Sequence, residues 1–204
     1  MNRHEVFAFD VENFGIDPNY RINPHPRVYH NMKNIIYQPM VYELASRLGN
    51  KYVDIGCNNG DKWHMLKGPI IGIDHPDTPQ KPDCHAGQEW KPCNLEIDPI
   101  PVNPMFYNEA VVICADVIEH LVNPVNLIFE LMIAVENGAT VLLSTPDRAK
   151  LGNLEGPPRN QCHVREWTMK ELTSWIDGLF NIKAEYTFGC FEDGEKNTIL
   201  LTLT

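Results

Sequence analysis

The segment from Tyr52 to Asp61 carries the residues best suited to holding a small ligand. A short apolar run ends at Ile55, and the turn that follows contains glycine and asparagine, which tolerate left-handed backbone and let a ligand approach the main chain. Asp74 lies 20 residues after Asp54, at the end of the next apolar run. A carboxylate there can accept hydrogen bonds from both hydroxyls of a ribose. Because a G-x-G-x-x-G pattern is absent, the sequence predicts a nucleoside cofactor without pyrophosphate rather than NAD or FAD.

Alternating strand-like and helix-like patterns must position these residues. Apolar residues four apart, at Ile36, Met40, Leu44 and Leu48, predict a helix over Ile35–Leu48 that covers one edge of a sheet. Runs rich in β-branched residues predict strands, and a segment of helical length separates the first two of them. A second helix is predicted over Val125–Val135. The predicted strands are Tyr52–Ile55, Ile70–Asp74, Ala110–Cys114 and Ala139–Ser144.

The C-terminal part has a different pattern. A helix near Thr168–Leu179 precedes strand-like runs at Lys183–Phe188 and Thr198–Thr204, and the turn-rich stretch Glu192–Glu195 joins the two runs into an antiparallel hairpin. Apolar strands that alternate with helices are typical of a sheet covered on both faces. We therefore predict one α/β domain over residues 35–204: a Rossmann-like, doubly wound, mostly parallel seven-stranded sheet with a C-terminal antiparallel hairpin.

Two segments fall outside this alternation. Residues 1–34 are rich in proline and asparagine without sustained periodicity, which predicts an irregular N-terminal arm. The proline-rich stretch His75–Pro92 is predicted to be a long surface loop.

Composition limits the environment and the partners. The chain of 204 residues has no apolar run long enough to cross a bilayer and begins without a secretory pattern, so we expect a soluble, cytoplasmic protein without a membrane partner. The six cysteines stand singly, which suits reduced thiols. The net charge of −10 argues against nucleic acid as a partner. The cysteines and histidines at positions 75, 84, 85 and 93 are irregularly spaced, so no metal site is predicted.

Several separate segments resemble the class I S-adenosylmethionine-dependent methyltransferases, especially the small-molecule branch that contains ubiquinone-biosynthesis and sugar-modifying enzymes. The resemblance covers roughly residues 36–188 in matching order. The segments that carry it are Asp54–Gly60, Asp74, Cys93–Glu96, Asp116–Pro124, Ser144–Arg148 and His163–Thr168.

The resemblance implies S-adenosylmethionine as the cofactor and methyl transfer to oxygen or nitrogen of a small polar metabolite, such as a sugar or nucleotide-sugar. Two positions depart from the family pattern: Asn58 replaces a glycine and Asn94 replaces the usual aspartate of the adenine segment. Asparagine visits left-handed backbone readily, and an amide can still accept from the adenine amino group. The implied cofactor-binding residues are Asp54, Gly56, Cys57, Asn58, Gly60, Asp74, Asn94, Leu95 and Asp116.

Candidate catalytic residues are fewer, because methyl transfer depends mainly on in-line positioning of the reactants. His163 and His120 are candidate general bases, since imidazole titrates near neutral pH. His163 could instead orient a substrate or a loop, and His120 could cap a short helix. Asp116 and Glu119 could line the sulfonium end of the pocket or only complement a helix N-terminus.

Three further alternatives stay open from the sequence. The substitution at Asn94 is compatible with a cofactor-binding module that has lost turnover. Arg21, Arg27 and Lys33 in the arm could recognise RNA or protein as a polymeric acceptor. The loop Leu151–Gln161 is either a substrate-facing lid or a solvated loop, and the oligomeric state is open.

Overall fold

A single mixed sheet of seven strands organises the chain. The computed structural model describes residues 14–26, 38–189 and 196–204. In the order β3-β2-β1-β4-β5-β7-β6, the first five strands are parallel, and β7 runs antiparallel between β5 and β6. The strands are β1 Tyr52–Ile55, β2 Ile70–Asp74, β3 Gln88–Pro92, β4 Val111–Ala115, β5 Thr140–Pro146, β6 Ile182–Gly189 and β7 Lys196–Leu203. The predicted α/β class, the seven-stranded sheet and the C-terminal antiparallel pairing are confirmed; the joining turn lies outside the described residues.

Helices cover both faces of this sheet. Every residue of β1 and β4 is buried, which explains why these strands, apart from Asp54, are apolar on both faces rather than alternating. Two clusters of buried side chains form the core, and one contains Val41 and Tyr42 while the other contains Leu127 and Leu131. The helices are α1 Gln38–Leu48, α2 Pro104–Tyr107, α3 Val125–Glu136 and α4 Met169–Ile176, with single 3-10 turns at Trp63–Met65 and Ile118–His120.

The chain order of the strands creates a switch point between β1 and β4. From β1 the chain proceeds outward to β2 and β3, and then returns to the other side of β1 to form β4 and β5. In open parallel sheets the connections diverge at such a point and leave a crevice beyond the carboxyl ends of the strands. The turn at Gly56 and the segment at Asp116 therefore emerge side by side.

Three predictions about elements are wrong. In α1 the buried residues are Val41, Tyr42 and Ala45, whereas Met40 and Leu48 are half exposed. The helix packs against β4 and β5 in the middle of the sheet rather than at an edge. Ala45 follows Tyr42 by three positions and Val41 by four, so these three side chains lie on the one face that packs on the sheet. Residues spaced strictly four apart do not stay on one face, because the helix has 3.6 residues per turn.

The connection between β1 and β2 forms only the turn Trp63–Met65 instead of a helix. Trp63 is buried and donates from Nε1 to Asp54, so one large side chain fills space beside the sheet. The stretch predicted as a surface loop contains β3, which pairs in parallel with β2. None of its residues is fully buried, and Glu89 and Pro92 are exposed, which suits an edge strand and explains the weak apolar signal.

The described part of the N-terminal arm, residues 14–26, forms turns without a helix or strand. Its backbone binds the segment before α4: Arg21 N donates to the Glu155 carbonyl and Asn23 N to the Val164 carbonyl. Trp167 donates from its indole nitrogen to the Phe14 carbonyl. These bonds hold the arm against the domain. Among the described residues, no helix is long and apolar enough to span a bilayer.

Candidate functional site

A cavity of about 580 Å³ opens at the carboxyl ends of β3, β2, β1 and β4. Its place is the crevice expected at the switch point of the sheet. The described residues that line it are Pro26, Gln38, Tyr42, Gly56, Cys57, Asn58, Asn59, Lys62, Asp74, His75, Asp77, Thr78, Pro79, Cys93, Asn94, Leu95, Glu96, Ala115, Asp116, Val117, His120, Leu121, Val122 and Cys162.

The turn after β1 forms the floor of the cavity. Gly56 has a φ of +73°, and a Cβ there would lie 2.4 Å from Cγ2 of Val117, so only glycine lets the two turns approach. Gly56 N and Cys57 N both donate to the Ile73 carbonyl, at 2.8 and 3.1 Å. Asn58 has a φ of +50°, as expected for a residue that replaces glycine in left-handed backbone.

Asp74 connects this turn to the end of β2. Its Oδ2 accepts from Asn58 N at 2.6 Å, and its Oδ1 accepts from His75 N at 2.6 Å and from the Thr78 hydroxyl. A carboxylate has about four acceptor positions. These bonds fix the side chain at the cavity wall and leave it capacity to accept from ligand hydroxyls.

Asp54 lies behind the cavity wall. Tyr42 donates its hydroxyl to Asp54 at 2.9 Å, and Trp63 donates from Nε1 to Oδ2 at 2.7 Å. Burial raises the pKa of Asp54 from 3.8 to about 7, although both hydrogen bonds lower it. Asp54 therefore links α1 to the 3-10 turn at Trp63, and it does not line the cavity in which the cofactor contact is predicted.

The segment after β3 forms one side wall. Asn94 and Leu95 line the cavity, and Asn94 Oδ1 accepts from Glu96 N at 3.1 Å. The carboxylate of Glu96 accepts from the backbone nitrogens of Val122 at 2.6 Å and Asn123 at 2.8 Å. This wall is thereby tied to the segment after β4, across the cavity.

Arg165 holds the same segment from the opposite side. Its guanidinium is buried and donates to the carbonyls of Leu121 and Val122, both at 2.9 Å. Burial lowers the pKa of Arg165 to about 10. The position of the wall formed by Leu121 and Val122 therefore depends on one buried cation and one carboxylate.

Asp116 enters the cavity at the end of β4. Its φ is +55°, in the left-handed region, which among residues with a side chain asparagine and aspartate adopt most readily. Gln38 donates to Oδ2 at 3.2 Å, and the Ser144 hydroxyl lies 3.4 Å from Oδ1. Strained backbone often marks functional positions, and here it presents a carboxylate to the cavity beside the turn at Gly56.

The two candidate bases occupy different positions. His120 lines the cavity, whereas His163 is buried beyond the lining, with the two rings 4.8 Å apart between centroids. Burial and the neighbouring His163 lower the pKa of His120 to about 4, so its imidazole is neutral near pH 7. As a neutral ring of low basicity, His120 is a weak general base.

Hydrogen-bond partners assign the tautomers of both rings. His120 Nδ1 lies 2.9 Å from the Cys162 carbonyl and His163 Nδ1 lies 2.7 Å from Oε1 of Glu166, so Nδ1 is the protonated nitrogen in each. Asn160 accepts from Cys162 N through Oδ1, which turns its amide nitrogen toward His163 Nε2 at 2.9 Å. The lone pair of each ring is therefore on Nε2.

Glu119 is fully buried next to these rings. Oε2 accepts from the Thr145 hydroxyl at 2.9 Å, while Oε1 has no hydrogen-bond partner among the residues that the structure describes. Burial, followed by the charge of Asp116, raises the pKa of Glu119 well above its ordinary value. One ligand atom each from Glu119, His120 and His163 lies within 4.8 Å of the others.

Seven of the nine predicted cofactor residues line the cavity, and the exceptions are Asp54 and Gly60. Gly60 has a φ of +66° and supports the turn next to Trp63. Of the irregularly spaced group considered for a metal, His75 and Cys93 line the cavity, while Cys84 and His85 are exposed.

Other cavity residues were not predicted. Gln38 and Tyr42 come from α1, and Lys62 and Cys162 come from connections, so no local motif marks them. No residue of the loop Leu151–Gln161, considered above as a lid, is among the described residues of the lining. Cys162, the next residue along the chain, does line the cavity. The arm reaches the cavity through Pro26.

Comparison with known proteins gives relatives with one kind of activity, although no family model matches the chain. A ubiquinone biosynthesis O-methyltransferase of Acinetobacter baylyi is 30% identical over 108 residues, covering 49% of this chain and 45% of that protein. A protein of Mycolicibacterium smegmatis named as a probable S-adenosylmethionine-dependent methyltransferase is 24% identical over 161 residues, covering 77% of this chain and 60% of that protein. The chain thus spans about half the length of the curated relatives it matches.

Solved structures share the fold. The S-adenosylmethionine-dependent methyltransferase of Mesorhizobium loti superposes with a TM-score of 0.58 over 81% of this chain and 95% of that chain, at 12% identity. At this identity the likeness establishes the fold alone. Together the relatives and the fold confirm the resemblance to class I S-adenosylmethionine-dependent methyltransferases that the motifs predict.

Proposed function

We propose that this chain, which has the class I methyltransferase fold, binds S-adenosylmethionine in the cavity and transfers its methyl group to an oxygen or nitrogen of a small polar acceptor. The observation that carries the proposal is the cavity itself, which gathers seven of the nine residues that the family resemblance assigns to the cofactor. Those residues come from the ends of four different strands, so their meeting depends on the whole sheet.

The residues of the cavity fit the parts of this cofactor. Asp74, held by three hydrogen bonds at the end of β2, would accept from the ribose hydroxyls. Asn94 and Leu95 would contact the adenine, with the amide of Asn94 facing its polar edge. Asp116 would lie near the sulfonium, whose positive charge a carboxylate stabilises. A cavity of about 580 Å³ is within the usual range for ligands of this size.

The charge of the cavity favours some acceptors over others. Among the residues that the structure describes, four carboxylates line it, at Asp74, Asp77, Glu96 and Asp116, and Lys62 is the one lysine or arginine. This excess of negative charge attracts a sulfonium cofactor and disfavours binding of an anionic acceptor. We therefore expect a neutral or cationic acceptor, such as a sugar or an amine, in preference to a nucleotide-sugar or RNA.

When bound, S-adenosylmethionine supplies an activated methyl group on a sulfonium. The residues of this chain then hold the methyl group and the acceptor atom in line. Asp116 and the turn at Gly56 lie at the switch point where cofactor and acceptor would meet. His120 faces the same space as a neutral ring and would orient an acceptor hydroxyl by accepting from it at Nε2.

A transfer assay tests this proposal. The chain is incubated with methyl-labelled S-adenosylmethionine and separate panels of neutral sugars, amines, phosphorylated sugars and RNA. We expect label in the neutral or amine panels, and we expect Asp116→Asn to lower kcat/KM at least about tenfold while Asp83→Asn, in an exposed loop, leaves it unchanged.

Two other outcomes would replace the proposal. Cofactor binding without labelled product in any panel would make the chain a binding module without turnover. Label confined to RNA, together with salt-sensitive retention on RNA, would make it a nucleic-acid methyltransferase.

A further inference from the structure

We propose that Glu119, His120 and His163 form a binding site for a divalent transition-metal cation at the inner wall of the cavity. The inference goes beyond the proposed function, because it concerns a metal site that can be tested without cofactor or acceptor. Among the described residues, these three bring one ligand atom each within 4.8 Å of the other two.

The first support is the state of Glu119. Its carboxylate is fully buried, yet Oε1 has no hydrogen-bond partner among the described residues. A buried carboxylate oxygen without a partner is costly unless a cation or donor satisfies it. Asp116 lines the same cavity, and its negative charge would add to the attraction for a bound cation.

The second support is the orientation of the histidines. Metal-binding histidines usually donate their other ring nitrogen to a carboxylate or a backbone carbonyl. Here His163 donates from Nδ1 to Glu166 at 2.7 Å, and His120 donates from Nδ1 to the Cys162 carbonyl at 2.9 Å. Both rings therefore carry their lone pair on Nε2, the state required of a ligand.

The third support is the position of the group. His120 and Asp116 line the cavity, while Glu119 and His163 are buried behind it. Three protein ligands with open positions toward a cavity are typical of catalytic rather than structural metal sites. The Asn160 amide, 2.9 Å from His163 Nε2, would have to move aside for the cation.

The donor set selects the kind of cation. Two imidazoles and one carboxylate suit Zn²⁺, Mn²⁺, Co²⁺ or Fe²⁺, whereas Mg²⁺ and Ca²⁺ prefer oxygen ligands alone. A cation here would occupy His120 Nε2 and replace the hydrogen bond from the acceptor hydroxyl to that atom; it would then polarise the hydroxyl and lower its pKa. Only this last consequence rests on the proposed function.

Cobalt is a suitable probe because its visible absorption reports nitrogen, oxygen and sulfur ligands. The full chain is freed of metal with EDTA and titrated with Co²⁺ in the absence of S-adenosylmethionine. We expect one saturable site per chain with histidine and oxygen ligation and without the intense charge-transfer band of a thiolate.

Variants locate the site. Because mutation of a residue that only orients a metal ligand costs about 10- to 100-fold in affinity, we expect about a tenfold loss for Glu166→Gln. Removing a ligand, in Glu119→Gln or His120→Ala, should weaken Co²⁺ binding at least about 100-fold. The matched control is His85→Ala, which removes an exposed histidine of the irregular group and should leave binding unchanged.

Circular dichroism of each variant separates loss of a ligand from loss of the fold. If both ligand variants unfold, the pulsed electron paramagnetic resonance spectrum of the Mn²⁺-loaded wild-type chain decides. Coupling of Mn²⁺ to histidine nitrogen supports the proposal, and absence of that coupling overturns it. Absence of saturable binding, a thiolate band, or equal binding in wild type, Glu119→Gln and His120→Ala would each overturn the proposal. Calorimetry of the EDTA-treated chain with S-adenosylhomocysteine tests the cofactor site separately, so failure of one proposal is distinguishable from failure of the other.

Discussion

Replacing Asp54 by asparagine should remove a large pH dependence from the stability of this protein. Burial raises the pKa of Asp54 from 3.8 to about 7 in the folded chain, and the unfolded chain has the ordinary value. The folded state therefore binds this proton more tightly, so the contribution of Asp54 to the free energy of unfolding is highest below about pH 4 and falls as the pH rises to about 7.

The size of the effect follows from the shift. About three pKa units at about 1.4 kcal/mol each correspond to about 4 kcal/mol, of which roughly 3 kcal/mol falls between about pH 4.5 and about pH 7.5. The side chain is 1% exposed, so solvent screening reduces this figure little. Asparagine keeps the shape and can still accept from Tyr42 and Trp63, but it does not titrate.

Urea unfolding of wild type and Asp54→Asn at the two pH values measures the difference. Other groups titrate equally in both proteins. From the lower to the higher pH, the free energy of unfolding of the wild type should therefore fall by roughly 3 kcal/mol more than that of the variant. Trp63→Phe is the second variant. It removes the N–H that lowers the pKa of Asp54, so this pKa should rise further and the free energy of unfolding should keep falling to higher pH. Equal pH dependence in wild type and Asp54→Asn would refute the assigned pKa shift.

Three further predictions concern the cofactor, a strand and a helix. Asp74→Ala should raise the calorimetric Kd for S-adenosylhomocysteine roughly 10- to 100-fold, because a charge-assisted hydrogen bond to the ribose is lost, whereas Asp83→Ala should not; an unchanged Kd in Asp74→Ala contradicts the ribose assignment. Gly72→Ala should cost roughly 1–3 kcal/mol in urea unfolding, because its Cβ would lie 2.3 Å from Trp63, and a neutral result would mean that the indole relaxes freely. Thr168→Ala should cost about 1 kcal/mol through loss of the capping box of α4, and no change in the thermal midpoint would show that the cap is redundant.

The elements with continuous apolar patterns could be predicted from the sequence because burial on both sheet faces leaves a local signal. The buried strands β1 and β4 were found within one residue of their observed bounds. Asn58 in left-handed backbone and Asp74 at a strand end followed from residue type and position. These features depend on short stretches of chain.

The remaining features depend on tertiary contacts. The strand β3 is an edge strand of polar and half-buried residues, so neither an apolar run nor strict alternation marks it. A helix was expected after β1, but this connection forms only the turn Trp63–Met65, and the buried side chain of Trp63 fills the space beside the sheet. The presence of one tryptophan in the sequence does not predict that packing. Likewise, Glu119 and His163 belong to distant segments, and they meet because Val164 N donates to the Glu119 carbonyl.

Isothermal titration with S-adenosylmethionine, and separately with S-adenosylhomocysteine, tests the central claim most directly because it needs no acceptor. We expect one site per chain with micromolar affinity for each compound. Absence of heat from both, with a chain that circular dichroism shows to be folded, would contradict the claim and leave a methyltransferase-like fold with another role.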